Sequence, residues 1–80
     1  MATKAQQQLA YQRLPRFLRA LREEAELTQR DLAQRLKKAQ SWVYNCETAN
    51  RRVDVTEFIA WATACDVDPQ IAFGRLLALT

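Results

Sequence analysis

The chain has 80 residues, with one glycine and two prolines, and 49% of its side chains are apolar. This composition predicts one small helical domain, because β-sandwich proteins are richer in turn residues. With no histidine and only one serine, Ser41, the sequence excludes Ser/His and Cys/His nucleophile pairs and histidine metal sites. The lone Gly74 excludes a glycine-rich phosphate loop. We therefore expect neither enzymatic activity nor a cofactor or metal.

Positive charge is concentrated in the middle of the chain. Basic and acidic side chains number five and three in residues 1–27, six and two in residues 28–52, and one and four in residues 53–80. A basic segment in a chain with a net charge of only +3 favours one defined polyanion-binding surface over non-specific adhesion of the whole molecule to membranes or nucleic acid. The alternative is an ordinary solvated surface.

The two cysteines and the apolar segments indicate the cellular compartment. Cys46 and Cys65 form no C-x-x-C motif, which predicts small buried side chains rather than a zinc or redox site. No window approaches the roughly 18 apolar residues of a membrane span, and the first eight residues lack the apolar segment of a secretion signal. We expect a cytoplasmic, reduced protein with no membrane partner.

The first predicted element is divided by a proline. Residues 1–14 have helical propensity but few apolar anchors, so they predict an N-terminal arm or frayed helix that Pro15 interrupts. The domain itself is expected over residues 15–80. Its first core helix runs to about Glu26, because apolar side chains recur at helical spacing: Phe17, Leu18, Leu21 and Ala25.

Two short helices with a tight connection follow. Thr28 and Asp31 predict a capping box that starts the second helix. The apolar pattern breaks over residues 37–39 and resumes in a third helix of about eight residues. This pair has the dimensions of a helix-turn-helix, in which the second helix lies in the DNA major groove.

The last two helices also have clear start signals. Asp54 and Glu57 predict a second capping box, and Asp68-Pro69 predicts an N-cap followed by proline at the first helical position. We expect the fourth helix to pack through Phe58, Ile59, Trp61, Ala62 and Cys65. The fifth helix has more apolar side chains than a small monomer needs, which predicts a homodimer interface: Phe73, Leu76 and Leu77.

The third predicted helix has one buried and one polar face. At about 100° per residue, Val43, Cys46 and Glu47 point inward, and Gln40 lies at the exposed N-terminal edge. The outward side chains are hydroxyl and amide groups suited to base edges, rather than the Lys and Glu of an ordinary soluble face: Ser41, Tyr44, Asn45 and Thr48.

The order and spacing of these segments resemble the Cro/CI-type, or XRE-like, helix-turn-helix family of phage repressors and bacterial regulators. The resemblance covers Leu21 to Pro69 and is carried by LR in the first helix, LTQ and LA in the second, QS at the start of the third, Glu47 at its end and the segment CDVDP. It implies an all-α, compact five-helix lambda-repressor-like domain.

The resemblance also implies roles for individual residues. Gln29 is similar to a family glutamine that bonds a DNA phosphate and also supports the glutamine at the start of the recognition helix, here Gln40. Arg22 and Glu47 match a buried ion pair. The resemblance places Gln40, Ser41 and Asn45 at base-reading positions, and the outward direction of Tyr44 adds this residue to the predicted base contacts. The other predicted phosphate contacts are Thr48, Asn50, Arg51 and Arg52.

Two glycines that are common in the family are replaced here. Lys37 stands between the second and third helices, and Ala49 follows the third. A left-handed alanine is strained by roughly 1 kcal/mol, so we expect Asn50 to take that conformation or the helix to run one residue longer.

Together these features predict a sequence-specific DNA-binding transcriptional regulator of the phage repressor or controller type. Its partners would be double-stranded DNA and a second copy of the chain. The alternative is a protein-interaction module or antitoxin-like adaptor on the same scaffold, with Trp42, Tyr44 and the apolar fifth helix as its contact surface.

Overall fold

A computed structural model describes the backbone of residues 4–79 and the side chains of residues 12–79. Within this part the chain forms five α-helices and no strand, which confirms the all-α prediction. The helices are α1 (Lys4–Glu24), α2 (Gln29–Leu36), α3 (Gln40–Glu47), α4 (Val55–Ala64) and α5 (Pro69–Leu79).

α1 is continuous through Pro15, so the prediction that proline interrupts it is wrong. An internal proline costs about 3 kcal/mol of helix stability, but here the buried face of the helix extends to both sides of it. Leu14 packs against the core just before Pro15, and Phe17, Leu18 and Leu21 are buried just after it. Of the predicted arm, residues 1–3 lie outside the described residues and residues 4–14 are helical.

The predicted helix starts at Thr28 and Asp54 are confirmed. Thr28 and Asp31 form reciprocal side-chain to backbone hydrogen bonds of 3.0 Å. Asp54 and Glu57 form the same box with bonds of 2.8 and 2.9 Å. At α5, Asp68 Oδ1 accepts a hydrogen bond of 2.7 Å from the backbone N–H of Gln70. Each box satisfies two N–H groups that the helix itself leaves without partners.

Each of the four connections between helices contains a residue other than glycine in the left-handed region, with φ between 57° and 64°: Glu26, Lys37, Ala49 and Asp66. The residue after each donates its backbone N–H to a carbonyl five positions earlier, as Asn50 does to Asn45 over 3.0 Å. This is the six-to-one bond of a Schellman motif. The expectations for Asn50 and for a longer third helix are therefore wrong, because α3 ends at Glu47 and Ala49 takes the left-handed conformation.

The core is formed by all five helices around Trp61 of α4. Trp61 is completely buried, and its indole N–H donates a 3.0 Å hydrogen bond to the carbonyl of Leu18 on α1. Cys46 and Cys65 are buried free thiols, as predicted, and burial raises the pKa of Cys65 to about 11. Ile59, expected in the core, is exposed instead.

Candidate nucleic-acid interface

α2 and α3 have the arrangement of a helix-turn-helix. Residues 37–39 connect them, and the two helices pack closely against each other. Val43 and Cys46 anchor the inner side of α3 in the core. The opposite side of α3 therefore has a defined direction relative to the rest of the domain.

A buried ion pair fixes α3 to α1. Arg22 Nε lies 2.6 Å from Glu47 Oε2, and Arg22 Nη2 lies 3.0 Å from Glu47 Oε1. Arg22 Nη1 also donates to the carbonyl of Leu27 over 2.8 Å. Hydrogen bonding to Glu47 raises the pKa of the Arg22 guanidinium above its usual value. Two parallel N–H···O bonds set the relative orientation of the helices as well as their distance.

Gln29 belongs to the same network. Its Nε2 donates a 3.1 Å hydrogen bond to Glu47 Oε1, so the amide is held by Glu47 rather than by Gln40. Gln29 and Gln40 nevertheless line one surface recess together with Ser41 and Tyr44. The ion pair that fixes α3 thus also positions the first residue of α2.

The side chains predicted to contact bases differ in exposure. Gln40, Ser41 and Tyr44 are exposed, with Tyr44 at 51%. Asn45 is half-buried, so it projects less than the helical projection indicates. Ala39 precedes α3 without a side-chain cap, in contrast to Thr28 and Asp54. The exposed end of α3 consequently presents side-chain amide and hydroxyl groups beside backbone N–H groups without a capping side chain.

The residues just after α3 are held by local hydrogen bonds. Thr48 Oγ1 donates to the carbonyl of Tyr44 over 2.8 Å, and Asn50 Nδ2 donates to Thr48 Oγ1 over 2.9 Å. Both side chains are exposed, as is Arg52. The turn is thereby ordered at the surface next to α3.

Arg51 is bonded within the molecule. Its Nη1 lies 3.0 Å from Glu57 Oε1, and its Nη2 lies 2.9 Å from Glu57 Oε2. The guanidinium carbon also lies 4.8 Å from the centre of the Trp42 ring, and that ring packs 6.2 Å from Trp61. Hydrogen bonding to Arg51 lowers the pKa of Glu57. Arg51 thus connects α3 with the start of α4, a role that sequence analysis missed.

Two more arginines form contacts that local sequence does not reveal. Arg35 Nη1 donates to the carbonyl of Ala64 over 2.7 Å at the end of α4. Arg75 Nη2 lies 3.0 and 2.8 Å from the two carboxylate oxygens of Glu24. Each contact joins residues at least 29 positions apart, so no local pattern could have identified it.

The predicted dimer residues on α5 are not equally accessible. Phe73 is 51% exposed and Leu77 is 56% exposed. Leu76 is half-buried and packs against the protein's own core. The ring of Phe73 also meets Phe58 of α4 edge to face at 6.1 Å. Phe73 and Leu77 are therefore the members of this set that a second molecule could reach.

The described residues hold no cluster of three or more potential metal ligands. Over the same part of the chain, none of the helices combines the length and apolar character needed to cross a bilayer.

Comparison with known proteins agrees with this geometry. A model of a helix-turn-helix domain family matches residues 13–77. A solved XRE-family like protein from Pseudomonas syringae pv. tomato str. DC3000 is 38% identical, with a TM-score of 0.87, over 96% of this chain and 94% of that one. A comparison with curated proteins gave no match.

The fold and the paired helices α2 and α3 define a helix-turn-helix protein. The chain belongs to this helix-turn-helix domain family and has the all-α fold of XRE-like proteins. Membership supports a DNA-binding regulator as its general class, a class that is typically not enzymatic.

Proposed function

We propose that the protein is a sequence-specific DNA-binding transcriptional regulator of the repressor or controller type that inserts α3 into the major groove. The observation that carries this proposal is the exposed row of Gln40, Ser41 and Tyr44 on a helix held from behind by the Arg22–Glu47 pair. A helix fixed in this way presents its polar side chains with little freedom, which favours defined contacts with base edges.

In this proposal Gln40 is the principal base-reading side chain. A glutamine amide bonds adenine through one donor and one acceptor, and a serine hydroxyl such as that of Ser41 serves as either. Tyr44 contributes contact area at the centre of the exposed face. Asn45 contributes from the edge of that face, because it is half-buried.

Phosphate contacts set the register of α3 in the groove. Gln29 supplies one at the start of α2, where Glu47 holds its amide. Thr48 and Asn50 supply others from the ordered turn after α3, with Arg51 and Arg52. Arg51 keeps its ion pair with Glu57 and offers a remaining N–H group to a phosphate oxygen, since a guanidinium has five N–H donors.

We further propose that the protein acts as a homodimer through Phe73 and Leu77 of α5. Both side chains are about half exposed, and a two-fold dimer would read half-sites about 10 base pairs apart. One helix-turn-helix module buries little DNA surface, so a second copy adds needed affinity. The cytoplasmic location expected from the sequence belongs to the same proposal.

The proposal is tested by selecting bound duplexes from a random library and measuring their affinity by fluorescence anisotropy at several salt concentrations. We expect a palindromic consensus and an affinity that falls by about 0.9 log units per log unit of salt for each phosphate neutralised. Absent or salt-independent DNA binding would favour the protein-interaction module instead.

Gln40→Ala tests the recognition helix directly. We expect it to reduce discrimination between the selected site and random DNA by about 1 to 3 kcal/mol, because a bidentate base contact is lost. Thermal stability should change little, since Gln40 is exposed. Gln34→Ala is the matched control, as it removes an exposed amide from α2 outside the proposed contacts. Equal discrimination by the two variants would reject the assignment of Gln40.

A further inference from the structure

A cleft between α1 and α5 lies apart from the helix-turn-helix. Its volume is about 520 Å³, within the range of sites for small molecules. Neither α2 nor α3 contributes to its walls. The lining residues are Gln12, Arg13, Arg16, Phe17, Ala20, Arg75 and Leu79.

The charge lining this cleft is entirely positive. Arg13, Arg16 and Arg75 supply three guanidinium groups, and no carboxylate side chain lines the cleft. Arg75 is neutralised at the rim by both oxygens of Glu24. Arg13 donates through Nη1 to the neutral backbone carbonyl of Leu79 and forms no ion pair within the described part of the chain. Arg16 is exposed and has no ion pair with another described residue. Among the residues that the structure describes, Arg13 and Arg16 therefore have no carboxylate partner.

The floor of the cleft is apolar. Phe17 is buried beneath it, and the guanidinium carbon of Arg75 lies 5.5 Å from the centre of the Phe17 ring. Ala20 on α1 and Leu79 on α5 extend this surface along both walls. A ligand that combines an anionic group with an apolar body matches both parts of the cleft.

We propose that this cleft binds a small organic anion. Arg13 and Arg16 hold its carboxylate or phosphate group, because guanidinium groups match both anions through paired N–H donors. The apolar body lies over Phe17 and Ala20. Glu24 neutralises Arg75, so the other two arginines are left for the ligand.

The test is an NMR titration of the full chain with four probes: phenyl phosphate, benzoate, inorganic phosphate and benzyl alcohol. We expect shifts confined to residues 12–20 and 75–79. We also expect an aromatic anion to bind at least about tenfold more tightly than inorganic phosphate or benzyl alcohol, since only it makes both charged and apolar contacts. Comparison of phenyl phosphate with benzoate identifies the preferred anionic group.

Arg16→Gln should weaken the preferred aromatic anion by about tenfold, because one charge-assisted contact is lost. Arg19→Gln is the matched control, since Arg19 is on the same helix but pairs with Glu23 outside the cleft. An equal loss in both variants would indicate general electrostatic attraction and overturn the proposal. So would an absence of shifts in the cleft with both aromatic anions.

Discussion

At the scale of single residues, Glu47 is the most constrained charged group near the candidate interface. Its side chain is only 3% exposed, and it accepts hydrogen bonds from both Arg22 and Gln29. The resemblance to the family indicated the pairing with Arg22. The link to Gln29 depends on the packing of α2 against α3 and could not be read from the sequence.

Replacing Glu47 with glutamine should destabilise the fold by about 3 to 5 kcal/mol, because Arg22 would keep a buried charge without its counter-ion. Urea denaturation measures this loss. Asp66→Asn is the control: its ion pair with Arg35 is exposed, so its removal should cost no more than about 1 kcal/mol. Similar losses in the two variants would contradict a special role for the buried pair.

At the scale of helices, each Schellman motif places one residue other than glycine in the left-handed backbone conformation. At Ala49 this backbone conformation carries a steric cost, because a Cβ approaches the neighbouring carbonyl. The sequence showed that the usual glycine is missing. It did not show that the turn after α3 keeps its left-handed geometry with alanine in place of glycine.

Ala49→Gly should stabilise the protein by about 1 kcal/mol, since glycine takes the left-handed conformation without that cost. Thermal unfolding is the measurement. Ala60→Gly provides the contrast, because the same substitution at an exposed site inside α4 should destabilise by about 1 kcal/mol. A loss of stability in both variants would show that Ala49 is not strained.

The helix caps predict how stability depends on pH. Hydrogen bonds with backbone N–H groups lower the pKa of Asp31 and Asp54, and Arg51 together with Asp54 N–H lowers that of Glu57. A carboxyl whose pKa is lower in the folded state stabilises the fold above its unfolded value and loses that contribution as pH falls through the folded value.

We therefore expect the free energy of unfolding to decrease as the pH falls below about 4.5, the ordinary pKa of a glutamate such as Glu57. It should decrease further below 3.8, the ordinary pKa of the two aspartates. Asp54→Asn should show a shallower decrease, because an amide still caps α4 but does not titrate. Thermal unfolding over the acid range checks this. Parallel curves for the two proteins would argue against a contribution from Asp54.

At the scale of the whole molecule, the five helices do not cover all the apolar surface of α5. Ala72 is the α5 side chain buried in the core, whereas Phe73 and Leu77 are about half exposed. They are four positions apart and so lie on one side of the helix. This side is the proposed dimer interface.

Leu77→Glu should dissociate the homodimer, because a carboxylate in an apolar interface must lose its hydration. Sedimentation equilibrium measures the mass. Ile71→Glu is the control, as Ile71 is also exposed on α5 but points about 120° away from Leu77 at about 100° per residue. An unchanged mass for Leu77→Glu would reject this interface.

The sequence by itself determined the number of helices, the start sites of α2, α4 and α5, and the family, because caps and apolar periodicity act over a few residues. Thr28, Asp54 and Asp68 are examples. It misplaced the start of α1, since local propensity at Pro15 is overridden by packing of the flanking apolar face. Ile59 was misassigned because helical spacing alone does not show how far the neighbouring helices reach.

Only the tertiary structure decided which polar groups are already bonded. Gln29 is held by Glu47, Arg51 by Glu57 and Arg75 by Glu24. Two of these pairs join separate elements far apart in the chain, and their geometry depends on the angle and distance at which whole helices pack. Helix packing likewise brought the three arginines of the α1–α5 cleft around one apolar floor, a placement that no pattern in the chain specifies.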